Sequence, residues 1–288
     1  MDSDKASRSA AIIAAHRAYE YSRTDSNRIC SDQYAKSFLP DNFSVIGESE
    51  LPGEETIAIF RDLVPGFHEF FLARTRYIDD YLAGQLTVGL EQLVILGAGF
   101  DTRAHRFEEL GAIRVFEVDH PATQAIKKAK VEELFSTLPD HVSYVPIDFH
   151  RENLELLSDY GYDRSKKSLF IMEGVIMYLD LEAIDETLLF ISRNSAEGSR
   201  LIFDYTYPGV LENTIDRKEA KAWLEITKKS DEPLLFGIED DAVDDFLSRR
   251  GFTDITTVSS DFFNKTYYQD DEERQATPIL AIAHARVP

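Results

Sequence analysis

Leu93-Val94-Ile95-Leu96-Gly97-Ala98-Gly99-Phe100-Asp101-Thr102-Arg103 is the stretch that decides the fold. An apolar, β-branched run ends in Gly-Ala-Gly, and a helical segment is expected from about Asp101. Strand, tight glycine turn and helix N-terminus together open a nucleotide-binding α/β sheet. A Cβ at Gly97 or Gly99 would block close approach of a ligand to the backbone. Gly-Ala-Gly by itself is also what any tight turn with positive φ requires. The details point away from a dinucleotide. The third glycine of G-x-G-x-x-G falls at Thr102. Asp101 sets a carboxylate where a pyrophosphate needs bare backbone N–H groups. A ligand with an adenosine, no phosphates and a positive charge fits better, and S-adenosylmethionine is such a ligand.

Outward from this turn, strand-type runs alternate with helical patterns. Strands are expected at residues 93–96, 113–118, 142–145, 169–172 and 201–205, with helices at 102–110, 122–138, 154–160 and 181–195. Such alternation predicts a mostly parallel sheet covered on both faces. Upstream, residues 1–88 read as a helical cap, with helices at about 10–21, 53–63 and 67–82 and a break at Pro65-Gly66. Residues 207–240 interrupt the rhythm and predict an inserted lid on the core of residues 89–288. A helix over about 240–250 is stopped by Gly251. Strands at 255–258 and 278–283, separated by a charged loop at 269–275, complete the sheet as a terminal hairpin.

Each expected strand ends in a side chain with chemistry. Asp119 follows Gly97 by 22 positions, near the spacing of about 20 at which a carboxylate grips a ribose diol. Glu117 shares its side of the strand, and only one of the two need bind ribose. A helix N-cap before Pro121 is the alternative for Asp119. Asp148 and Phe149 suit an adenine, one accepting from its exocyclic amine and the other walling the ring; Asp148 as a helix cap is the plainer alternative. Glu173 ends an apolar strand, so it needs a cationic ligand or an arginine partner. Arg76 would hold a ligand carboxylate as a bidentate pair, or simply lie on a helix surface. Tyr178 would reach a substrate at the pocket mouth, or belong to the core. The seven histidines show no H-x-x-x-H pair and no metal is expected. His120 and His150 lie just beyond strand ends and are candidates for proton transfer. No hydrolase elbow and no P-loop is present.

Composition narrows the partners. The chain has 288 residues, 31 Lys and Arg against 52 Asp and Glu, and a formal charge of −21. Such a surface repels nucleic acids and anionic membranes and favours neutral or cationic small ligands. One cysteine, Cys30, excludes an intramolecular disulfide. Neither a signal peptide nor a membrane span is read, so the cytoplasm is the expected location.

Taken in order, Leu96–Arg103, Phe116–Pro121, Asp148-Phe149 and Met172–Leu179 resemble the leucine carboxyl methyltransferase superfamily, and more closely its bacterial and fungal small-molecule O-methyltransferase branch. The run Arg74-Thr75-Arg76-Tyr77-Ile78-Asp79-Asp80 and Glu232-Pro233-Leu234-Leu235-Phe236-Gly237 match as well. The resemblance implies a seven-stranded, Rossmann-like sheet binding S-adenosylmethionine. Arg76 would hold the methionine carboxylate and Gly97 would lie against the ligand. Asp119 would take the ribose, Asp148 and Phe149 would frame the adenine, and Glu173 would lie near the methionine amino group. Phe149 stands where the family often has leucine. The expected activity is methyl transfer to a carboxylate or hydroxyl of a small molecule, with Tyr178 as a catalytic candidate. A nicotinamide-dependent oxidoreductase and a non-catalytic S-adenosylmethionine-binding module are the alternatives.

Overall fold

The computed structural model describes residues 8–23, 28–39, 53–149, 151–230, 232–269, 271 and 273–288. Seven strands form one sheet: β1 (Gln92–Leu96), β2 (Arg114–Asp119), β3 (Val142–Pro146), β4 (Ser168–Met172), β5 (Arg200–Thr206), β6 (Thr253–Ser259) and β7 (Leu280–Arg286). Their order is β3-β2-β1-β4-β5-β7-β6. The first five run parallel, and β7 lies antiparallel between β5 and β6. The order reverses at β1, so the crevice beyond the carboxyl ends of β1 and β4 is where a ligand is expected.

Strand alternation sorts the core into two layers. Leu93, Ile95, Leu169, Ile171, Ile202 and Ile282 face one side. Val94, Leu96, Phe170, Met172, Leu201 and Phe203 face the other. Because both faces are covered, the central strands are apolar throughout.

Helices α1 (Arg8–Ser22), α2 (Gly53–Leu63) and α3 (Phe67–Thr87) make up the N-terminal part. Helix α3 runs a turn past the expected 82 and stops before Gly89, whose φ is +87°. Across the α1–α3 contact, His16 Nδ1 and His68 Nδ1 lie 2.7 Å apart, one donating and the other accepting. Burial keeps both imidazoles neutral, with His16 held at about 3.

Along the core follow α4 (Arg103–Arg106), α5 (Pro121–Phe135), α6 (Leu181–Arg193), α7 (Pro208–Leu211), α8 (Lys218–Lys228), α9 (Val243–Ser248) and α10 (Ser260–Tyr267). Residues 154–160 are helical as expected, in 3-10 form. Two expectations need correction. The helix at 102–110 is only the short α4 followed by a 3-10 turn, because Phe107 is extended. The last two strands are not a hairpin: α10 lies between them, anchored by Phe263, which is buried edge-on against Phe70 at 5.7 Å.

Ile171 is fully buried in β4, between β1 and β5. Replacing it with alanine should cost about 2–5 kcal/mol of stability. Equilibrium denaturation, read as a lower midpoint at unchanged slope, checks this.

Candidate functional site

The turn after β1 is built by its glycines. Gly97 has φ +64° and Gly99 φ +43°. A Cβ on Gly97 would overlap Val175, and one on Gly99 would come within 2.9 Å of Ala10 on α1. Asp119 ends β2 beside this turn. Its carboxylate accepts from the Gly99 N–H and, at 2.6 Å, from the His120 N–H. The helix cap is His120, whose Nδ1 accepts from Ala122 N–H, with Pro121 at the first helical position. The capping alternative for Asp119 is therefore set aside. Glu117 is 1% exposed and paired with Lys127 at 2.7 Å, away from the cavity. Burial outweighs that lysine and raises Glu117 to about 7.

A cavity of about 930 Å³ opens over the carboxyl ends of the strands. Gly97, Asp119, Asp148, Phe149, Glu173 and Tyr178 all line it. Arg76 does not. Its side chain is 46% exposed and pairs with Asp80 one turn along the same helix, at 2.8 Å. The arginine of this run that faces the cavity is Arg74, whose side chain is 2% exposed. Two positions on a helix turn a side chain by about 200°, so adjacent arginines in Arg-Thr-Arg point to nearly opposite sides.

Arg74 belongs to a buried ion network that joins the helical part to the sheet. It donates from Nε to Glu173 at 3.1 Å and from Nη1 to Asp204 at 2.5 Å. Arg103 donates to Asp79 and to Glu173, each at 2.7 Å, and to Asp101. Asp204 also accepts from the Gly174 N–H at 2.6 Å. The sequence reading missed Asp204. A carboxylate inside the apolar run Leu201–Tyr205 was the signal that pointed to it. Arg17 on α1 reaches Asp32 at 2.8 Å and the Phe100 carbonyl at 2.6 Å, which docks α1 over the glycine turn.

Charges in this network are fixed by their partners. Burial would raise Glu173, but Arg103 and Arg74 outweigh it and hold the carboxylate at about 2. Asp101 is likewise held at about 2, against burial, by Arg103. For Asp204 and Asp119 burial wins and both shift upward. Arg74 Nη2 is buried without a hydrogen-bond partner among the described residues. A guanidinium nitrogen left this way calls for an acceptor.

The far end of the cavity is apolar. Phe60, Val64, Phe67 and Phe71 come from α2, α3 and the turn between them, and Trp223 comes from α8. Trp223 packs edge-on against Phe67 at 5.1 Å. Residues 207–240 supply this wall as α7, α8 and an extended return. The return is pinned by Leu235 N–H to the Met177 carbonyl at 2.8 Å and Ile238 N–H to the Thr206 carbonyl at 2.9 Å. Gly237 is required there, since its Cβ would come within 2.9 Å of the Pro208 nitrogen. Tyr178 sits between the two ends. Burial and the nearby Glu232 carboxylate hold its phenol well above the usual range, so it keeps its proton. His150 lies outside the described residues. No cluster of metal-ligating side chains occurs among the described residues.

This donor set fits S-adenosylmethionine. A free nitrogen of Arg74 suits a carboxylate, and Asp119 retains acceptor capacity for a diol. Asp101, Glu173 and Asp204 suit ammonium and sulfonium charge.

Glu173→Gln should cost about 3–5 kcal/mol by leaving two buried arginines short of a partner. Because the folded carboxyl lies near 2, below its ordinary 4.5, its contribution is complete above pH 4.5 and is lost as pH falls toward 2. The variant should therefore unfold with a flatter pH dependence in that window, measured by denaturation at stepped pH. Arg74→Gln should abolish cofactor binding, whereas Arg76→Gln should leave it unchanged; calorimetric titration with S-adenosylmethionine distinguishes them.

Comparison with known proteins gives the family and the fold. The family profile described as leucine carboxyl methyltransferase matches residues 10–192. A protein of Bacillus subtilis, named "Putative S-adenosyl-L-methionine-dependent methyltransferase YktD", is 30% identical over 70% of this chain and 67% of its own. A protein of Mycobacterium avium with the same description is 31% identical over 73% of this chain and 71% of its own. Among solved structures, a DUF574 family protein of Streptomyces avermitilis superposes with TM-score 0.64 at 14% identity, over 98% of both chains. One titled a putative methyltransferase from Thermobifida fusca gives TM-score 0.60 at 14% identity, over 99% of this chain and 96% of its own. These structures share the fold. The chain belongs to the leucine carboxyl methyltransferase family.

Proposed function

We propose that this protein transfers the methyl group of S-adenosylmethionine to an oxygen of a small, largely apolar acceptor, with a carboxylate as the favoured nucleophile. That the chain is an S-adenosylmethionine-dependent methyltransferase follows from its family. A nicotinamide-dependent oxidoreductase drops out on the same ground. The acceptor is argued from one observation: the cavity that carries Asp119 and Glu173 continues without interruption into the aromatic wall of Phe60, Phe67, Phe71 and Trp223. At about 930 Å³ it lies near the top of the usual small-ligand range of about 300–1,000 Å³. That leaves room for an acceptor beside the cofactor.

When bound, the cofactor supplies an electrophilic methyl on a positively charged sulfur. The protein's work is alignment and exclusion of water. Arg74 and Asp119 would hold the cofactor by its carboxylate and its ribose. Glu173, Asp101 and Asp204 would offer negative charge to its cationic groups, and their arginine partners fix that charge in place. The aromatic wall desolvates the acceptor. A carboxylate acceptor is already ionised at neutral pH and needs no base. Of the candidate bases among the described residues, Tyr178 keeps its proton and His120 spends Nδ1 on its helix, which supports this reading. Tyr178 then acts as a donor that orients the acceptor oxygen. Nothing in the wall names a leucine or a protein C-terminus as the acceptor. Among the described residues no helix is long and apolar enough to cross a membrane.

The test is methyl gain by mass spectrometry over a panel of aryl and alkyl carboxylic acids and the matching phenols. Carboxylates should gain the methyl group. Trp223→Ala should raise the acceptor KM while leaving S-adenosylmethionine affinity unchanged. Tyr178→Phe should lower kcat/KM by about tenfold, one lost hydrogen bond, without moving its pH profile. Turnover of phenols alone, with Tyr178→Phe slowing them by roughly 100-fold or more, would overturn the carboxylate reading. Binding of S-adenosylmethionine with no turnover on any acceptor would overturn catalysis.

A further inference from the structure

At the opposite end of the sheet from the cofactor cavity, the strands bring together cations that no acid separates. Arg200 opens β5 and Arg286 closes β7, and the antiparallel register sets them directly opposite each other. Facing residues of an antiparallel pair point to the same side, so two guanidinium groups share one patch. Like charges in that position are destabilising. Lys167, just before β4, adds a third cation. All three line a separate cleft of about 240 Å³, together with Gln85, Val88 and Leu90 at the end of α3 and with Ser168. No carboxylate lines this cleft. In a chain with 52 acids against 31 bases, such a place is not expected by chance mixing of surface charge.

The acids nearby do not resolve the crowding. Arg286 reaches Glu197 and Asp254, each at 3.4 Å, and both partners are mostly exposed, at 79% and 57%. Exposed pairs of this kind contribute little. Among the described residues, neither Arg200 nor Lys167 has a carboxylate within ion-pair distance. Glu91 accepts only from the Lys167 backbone N–H, at 2.9 Å. On this face of the sheet His284 Nδ1 on β7 has no hydrogen-bond partner among the described residues, and Tyr81 on α3, whose ring lies 4.7 Å from that of His284, turns its phenol toward Arg200. Tyr81 is one helical turn before Gln85, and His284 is two residues before Arg286.

From this arrangement we infer that the cleft of Lys167, Arg200 and Arg286 is a binding site for a phosphate-sized oxoanion, distinct from the cofactor cavity. An oxoanion between Arg200 and Arg286 converts a repulsive cross-strand pair into two charge-assisted hydrogen-bonding pairs. Val88 and Leu90 at the rim give an apolar contact for an organic group carried on that anion. Free phosphate and a phosphate ester present the same chemistry to the arginines.

The experiment is calorimetric titration of the full chain with inorganic phosphate and, separately, with phenyl phosphate, at ionic strength matched with sodium chloride. Binding of either probe is expected, weakened roughly tenfold to a hundredfold by Arg200→Gln and less by Lys167→Gln. Tighter binding of phenyl phosphate identifies an ester as the ligand class, and tighter binding of inorganic phosphate identifies the free anion. Unchanged S-adenosylmethionine affinity in each variant shows that the fold is intact, and the exposed Lys167 provides a variant whose folding is not at stake. Absence of binding by both probes, equal binding by Arg200→Gln and Lys167→Gln as by the unaltered chain, or reproduction of the heat by chloride alone would overturn the inference.

Discussion

Glu173 between Arg74 and Arg103 is the interaction on which the rest of the site depends. One carboxylate at the end of the central strand β4 receives an arginine from the N-terminal helices and another from the segment after β1. Asp204, Asp101 and Asp79 complete the charge balance around those arginines. Isolated ions at such depth would be strongly unfavourable, so the network forms only when helix α3 is docked on the sheet. Docking and site assembly are therefore one event. Neither the glycine turn nor the strand ends could hold this arrangement alone.

The same helix divides the cavity's labour. Arg74 joins the ion network, while Phe71 and Phe67, one and two turns earlier, give the same cavity aromatic surface. Helix α8 completes the apolar wall through Trp223, and the extended return after it is bonded to Met177 and Thr206. The ion network and the aromatic wall thus rest on one scaffold, and Trp223 takes no part in the ion network.

Legibility from sequence tracks how local each signal is. The strand ends Gly97, Asp119, Asp148 and Glu173 were readable because a strand, a turn and a helix start are written in contiguous residues, and each of these side chains lines the cavity. Arg76 was misread because the hydrophobic pattern of α3 is weak. Both of its sides are covered over much of its length, so composition does not fix which side of the helix faces the crevice. Asp204 was passed over because its value lies in an arginine 130 positions away. Helix α10 was missed because it is only eight residues long and is held by the packing of Phe263 on Phe70, nearly two hundred positions away in the chain. The facing arginines of β5 and β7 depend on the register of two strands joined through β6 and α10.

By itself the sequence determined a parallel, doubly covered sheet, the glycine turn that admits a ligand to the backbone, and the carboxylates that end its strands. These follow from alternation, glycine stereochemistry and the cost of a charge in an apolar run, all of which act over a few residues. Tertiary structure alone decided which arginine faces the cavity, that Asp204 completes the ion network, what forms the cavity's aromatic wall, and where Lys167, Arg200 and Arg286 gather. Those outcomes depend on helix rotation and strand register, which are set by packing between segments distant in the chain.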